Sequence, residues 1–229
     1  MMKLSASDCE QFKLILRELD VEVPPRGQSR TTEACESWIL HKALLAFHQK
    51  KMISYPIVIE KMEKPDFWIM SANKTYGVEL TEAVNPDYAR IQTLPEASIQ
   101  GSVIDPSLFK WGCEERNTQE LRDIALQTEL TGDGWVGDNV EREFTQSIFD
   151  IVKRKDKKLK GHYRRADIDI LLIYHNQTSP DLRINSALSY TEARLAEYWS
   201  EGFDLVCVVK DEHLMVFCKE SSLLIAFES

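Results

Sequence analysis

The chain has 229 residues, 43% hydrophobic and 28% charged, with a formal net charge of −9 at pH 7. That length allows one large α/β core or a domain with an insertion, and the composition excludes a disordered chain. No apolar run approaches the ~20 residues of a membrane helix, and the acidic balance argues against a protein that coats nucleic acid generally.

Residues 5–19 are expected to form a first helix, with Phe12, Ile15, Leu16 and Leu19 on one face. Charges run through this segment and no apolar stretch leads to a small-residue cleavage site, so a cytoplasmic location is the default expectation. Val23-Pro24-Pro25-Arg26-Gly27 then breaks the chain, which makes 1–30 a helix and linker and 31–229 the main α/β domain. A second helix is expected from Thr31 or Thr32, a good N-cap, to about Gln49, with Leu40, Ala43, Leu44 and Phe47 as its apolar stripe.

Strand patterns follow at Tyr55–Glu60, Asp66–Met70 and Thr75–Ala83, with Ser71-Ala72-Asn73-Lys74 suited to a hairpin turn. Region 85–137 is less regular, carries three prolines and one expected helix at 114–129, and reads as an insertion. A long helix over about 139–160 keeps Phe144, Ile148, Ile151 and Val152 at helical spacing. Ile168–Tyr174 is nearly continuous in apolar residues, the mark of a strand covered on both faces. A helix at 188–200 and strands near 203–210, 213–218 and 223–227 complete an α/β order with a mixed sheet flanked by helices.

The five cysteines include no CxxC pair and are expected to be reduced thiols rather than a disulfide framework or zinc site. The five histidines show no ligand spacing, and no phosphate loop of the GxxxxGK[ST] type occurs. Charge is unevenly spread. Residues 82–150 carry fourteen acids against five bases, whereas 153–165 carry eight bases and one acid. The acidic stretch suits a basic protein partner. The basic run, with Lys153, Arg154, Lys157, Lys158, Arg164 and Arg165, suits phosphate contacts or simple solvation at a helix end.

Two carboxylates on neighbouring strands can hold Mg²⁺, which takes hard oxygen ligands and keeps several waters. Asp66 and Glu79 meet that need if their strands pair, and the Leu80 carbonyl could supply a third oxygen. Glu79 and Thr81 share one face of the strand while Val78 and Leu80 share the other, so Glu79 points away from an apolar layer.

The segment Lys64-Pro65-Asp66-Phe67, followed after a short spacer by Val78-Glu79-Leu80-Thr81-Glu82, resembles the PD-(D/E)XK nuclease superfamily. So does the expected order of elements over residues 31–174, which follows that family's restriction-endonuclease-like αβββαβ core. The resemblance implies that Asp66 and Glu79 bind Mg²⁺, or Mn²⁺, for phosphodiester hydrolysis, on DNA rather than RNA. It also implies settings such as restriction, phage defence, repair or mobile elements.

The motif lysine of the family falls on Thr81, which offers a hydrogen bond but no cation. Lys155, and after it Lys158, continues the apolar stripe of the long helix and is the expected substitute, against a competing role in offsetting the helix dipole. Glu36 lies in line with Leu40, Ala43, Leu44 and Phe47, which aims it at the sheet better than Glu33; in the family such an acid supports the metal site, against a competing role in stabilising the helix dipole. A catalytically inactive, nuclease-like binding module is the alternative, and both a homodimer and a partner protein stay open.

Overall fold

The strand Ile168–His175 (β5) is apolar on both faces and lies deep within the sheet. Ile170 and Leu172 pack with Leu40, Ala43 and Leu44 on one side, and Leu171 and Ile173 pack with Ile148, Ile151 and Val152 on the other. A strand buried in this way needs helices over both faces.

The structure is a computed structural model that describes residues 2–26, 28–159 and 165–227. Along the chain come β1 (Lys3–Ala6), α1 (Cys9–Leu19), α2 (Thr32–Gln49), β2 (Ile57–Lys61), β3 (Phe67–Ser71) and β4 (Lys74–Ala83). Then follow α3 (Pro86–Ile91), α4 (Thr118–Ala125), α5 (Asn139–Leu159), β5, α6 (Ile184–Glu197), β6 (Leu205–Lys210), β7 (His213–Cys218) and β8 (Ser221–Ala226). All eight strands join one mixed sheet in sequence order. β1 to β4 are antiparallel, β4, β5 and β6 are parallel, and β6 to β8 return to antiparallel pairing. The α1 and α2 residues Phe12, Leu16, Leu40 and Leu44 cover one face, while α5 and α6 residues such as Ile148, Val152 and Leu195 cover the other.

Several element ends differ from expectation, each for a local reason. The first helix begins at Cys9, not residue 5, because Asp8 accepts from Gln11 N at 2.9 Å and caps it. The residues before the cap form β1, whose Leu4 and Ala6 face the core and which pairs with β2. α4 is shorter than 114–129 because Asn117 and Glu120 make a capping box at its start. α6 begins earlier than 188, at Ile184, where the neighbouring Arg183 donates from Nε to the buried Glu141 at 2.7 Å.

Region 85–137 has a small core of its own, Ile91, Phe109, Leu121 and Ala125. The Gln177 side chain ties it to the end of β5, accepting from Asn85 N at 2.9 Å and donating to the Phe109 carbonyl at 2.8 Å. The loop from Gly132 to Gly137 is fastened to α5 by Trp135 Nε1, which donates to Glu143 Oε2 at 2.7 Å. The cysteines are all free. Among the described residues no helix is long and apolar enough to cross a membrane.

His175, at the end of β5, is 2% exposed, and its ring lies 4.5 Å from that of Phe144. Burial, reinforced by Lys210, holds its pKa well below the usual 6.5. The unfolded chain therefore takes up a proton as pH falls through 6.5 while the folded state does not. The stability from neutral His175 is complete above that pH and is lost below it. Urea denaturation should show a loss of up to about 1.4 kcal/mol per pH unit between about pH 6.5 and 5. His175→Gln should flatten that slope; an unchanged slope would assign it to other groups.

Candidate active site

The register Phe67↔Val78 places the residue before β3 opposite the one after Val78, so Asp66 faces Glu79 across the hairpin. Leu80 N donates to Asp66 Oδ2 at 2.6 Å and fixes that carboxyl against β4. Gly77 makes the approach possible. A Cβ there would lie 2.7 Å from Asp169 Oδ1 and 3.3 Å from the Pro65 ring, pushing away the turn that carries Asp66.

Lys155 reaches the pair from α5. Phe144, Ile148, Ile151 and Val152 are buried against the sheet, and Lys155 extends the same side of the helix. Its Nζ donates to Glu79 Oε1 at 2.7 Å and to the Leu80 carbonyl at 3.1 Å. Glu79 is 8% exposed, so its charge is paired where water cannot screen it well. From the opposite helix, Glu36 Oε2 accepts from Lys61 Nζ at 2.6 Å, and that ammonium also lies 5.7 Å from the centre of the Phe67 ring. Glu33, on the same helix, is exposed.

Asp66 registers this crowding. Burial, with the charges of Glu79 and Glu36, pushes its pKa up to about 6, against the lowering pull of the Leu80 N–H and Lys155. Asp66 thus feels the charges of Glu79 and Lys155 and also that of Glu36, which Lys61 pairs.

The remaining cations do not join them. Lys158 is exposed, as are Arg154 and Lys157. Lys153 lies over the Phe149 and Tyr198 rings, at 5.3 and 5.5 Å, so the α6 side of the helix takes its charge. Arg165 forms an ion pair with Asp169 Oδ2 at 2.8 Å and donates to the Gly202 carbonyl at 2.7 Å, which makes it a tie at the start of β5. Arg164 lies outside the described residues, with His162 and Tyr163.

Two features went unread in the sequence. Lys61 pairs with Glu36 and is placed by the register Lys61↔Phe67, which only strand pairing reveals. Arg26 and Arg30, in the proline-rich linker, both pair with Glu82 on β4. No family model, curated protein or solved structure matches this chain.

Among the described residues, no group of three or more His, Cys, Asp or Glu side chains gathers closely enough to hold a metal ion. The donors at hand are two carboxylates and a main-chain carbonyl. All are hard oxygens, a set that fits Mg²⁺ or Mn²⁺ with water or substrate oxygen in its other positions. The raised pKa of Asp66 fits as well, since a cation there would relieve the crowded negative charge.

Removing Lys155 takes its ammonium from the buried Glu79 carboxylate. Lys155→Met should therefore lower unfolding free energy by about 3 kcal/mol. Adding Glu79→Gln should recover part of that loss. Urea titration of the single and double variants measures both values, and a Lys155→Met protein as stable as the wild type would show that the pair contributes nothing in solution.

Proposed function

We propose that this chain is a Mg²⁺- or Mn²⁺-dependent nuclease of the restriction-endonuclease-like type, hydrolysing phosphodiester bonds in DNA. One observation carries the proposal: Lys155 Nζ lies 2.7 Å from Glu79 Oε1 and so provides, from a helix, the cation that Thr81 does not. The order α2, β2, β3, β4, α5, β5 supports it, because it agrees with the αβββαβ core that the motif residues suggest.

Asp66, Glu79 and the Leu80 carbonyl would hold the metal. When bound, the metal would supply charge neutralisation at the phosphate and lower the pKa of a water. The protein's own groups act around it. Lys155 uses two N–H groups on Glu79 and Leu80, which leaves a third to orient the attacking water or to oppose charge on a phosphate oxygen. Glu36, held by Lys61, keeps negative charge beside Asp66 and so favours a cation between the carboxylates.

The same contact also favours a second function, a nuclease-like fold that binds without cutting. Lys155 Nζ already sits on the Glu79 carboxylate and the Leu80 carbonyl, the oxygens that a divalent cation would take.

Cleavage of single-stranded and duplex DNA and of RNA, in Mg²⁺ and in Mn²⁺, separates the two. Glu79→Ala and Lys155→Ala should each lower the rate by about 10²–10³-fold, as loss of a charge-stabilising group does. Asp66→Asn should lose metal dependence with them. Activity that survives Glu79→Ala sinks the site, and a wild type silent on every substrate favours the binding module.

A further inference from the structure

Beside the carboxylate cluster a cleft of about 360 Å³ opens between the start of α2 and the C-terminal half of β4. Arg26, Arg30, Thr31 and Glu82 line it, and so do Glu36 and Leu80, which border the candidate active site. The two guanidinium side chains are only 17% and 15% exposed. Arg26 pairs with Glu82 Oε2. Arg30 Nη2 donates to Glu82 Oε1 at 3.1 Å, and its Nε donates to Cys35 Sγ at 2.9 Å. Asn176 Nδ2 adds a further donor to Glu82 Oε1 at 2.5 Å.

Two cations here share one carboxylate, so a positive charge is left over. The other acid of the cleft, Glu36, is paired with Lys61. Arg26 Nε is buried and has no hydrogen-bond partner among the described residues. A shielded N–H without an acceptor is costly, and an oxyanion entering the cleft would satisfy it. The amides at the start of α2, an 18-residue helix, add partial positive charge on the same side. Surplus cation, unused guanidinium donors and a helix start make an oxyanion site that shares Glu36 and Leu80 with the candidate active site.

We infer that the cleft is a phosphodiester subsite, in which Arg26 and Arg30 hold a backbone phosphate of the DNA strand next to the bond being cut. Glu82 shares the guanidiniums with that phosphate and tempers its binding. The inference rests on the nuclease proposal for its substrate. It moves the main phosphate contact from the exposed end of α5 to the linker and start of α2. It also shows how a chain of net charge −9 can still grip DNA, since only the cleft needs to be positive.

The alternative role for the three residues is structural, a fastening of the linker to β4. Fluorescence anisotropy of labelled single-stranded and duplex oligodeoxynucleotides, in EDTA so that nothing is cut, distinguishes the roles. Arg30→Met should weaken binding by about tenfold and reduce the salt slope by about one. Glu82→Gln keeps the shape and releases the guanidiniums, and should tighten binding severalfold. Opposite changes in the two variants cannot come from lost fastening, which would lower stability in both and leave affinity unchanged.

Unchanged affinity in both, or no DNA binding by the wild type, overturns the subsite. Arg30→Lys serves if Arg30→Met does not fold: it keeps charge and loses the two-pronged contact, so affinity should fall by less. Cleavage assays with Mg²⁺ are run in parallel. Expected binding changes with no cleavage by the wild type leave the subsite and remove the nuclease proposal, whereas cleavage with unchanged binding does the reverse.

Discussion

β4 and β5 run parallel and pair from Tyr76↔Ile168 to Ala83↔His175. Parallel neighbours cannot be joined by a tight hairpin and need a crossover that passes over one face of the sheet. Here the crossover contains the whole of region 85–137 and then α5. Because α5 must cover Leu171 and Ile173, its apolar stripe is pressed onto the sheet, and the residue that extends the stripe meets whatever β4 presents on that face. β4 presents Glu79. The Lys155–Glu79 pair is therefore a product of topology: any sequence that buries Phe144, Ile148, Ile151 and Val152 in this way delivers position 155 to the carboxylates.

That delivery creates an electrostatic problem with two solutions. Asp66, Glu79 and Glu36 crowd one region, and the result is an Asp66 carboxyl pushed up to about 6. Lys155 and Lys61 each pair with one acid, Glu79 and Glu36 respectively, whereas Asp66 accepts from the main-chain donor Leu80 N. A half-buried carboxyl in that position is easier to protonate than a free one, and a nearby cation would favour its charged form. The ammonium of Lys155 and a divalent ion would compete for the same oxygens, so under the proposed function the lysine would have to yield part of its contact. A flexible four-carbon stem allows that adjustment, where a guanidinium fork would not.

The elements that carry long periodic patterns were legible in the sequence. α2, α5, the hairpin around Ser71–Lys74 and the doubly buried β5 fall where apolar spacing puts them. Lys155 was legible for the same reason, as the continuation of a stripe. What escaped depends on pairing between distant segments. β1 has four residues, and Leu4 and Ala6 alternate too briefly to be told from a helix start until β2 lies beside them. Lys61 has no meaning without the register that sets it against Phe67. The basic run after Val152 looked uniform, yet Lys153 goes to two aromatic rings, Arg165 to Asp169, and Lys155 to Glu79. Charge density along a chain does not show which way each helical position points, and a helix end turns successive cations to different sides.

Thr81 takes on a different meaning in this setting. Side chains two apart on a strand share a face and lie about 7 Å apart, so a lysine at 81 would bring a second ammonium to the region that Lys155 already occupies. Two ammoniums there would repel each other, and one would have to point to solvent or lose its proton. Threonine avoids the conflict. It also keeps position 81 small where β4 lines the cleft that holds Arg26 and Arg30. A lysine on α5 and a threonine on β4 are thus one arrangement: the ammonium comes from the α5 face of the sheet, and the guanidiniums that Glu82 restrains lie by the start of α2.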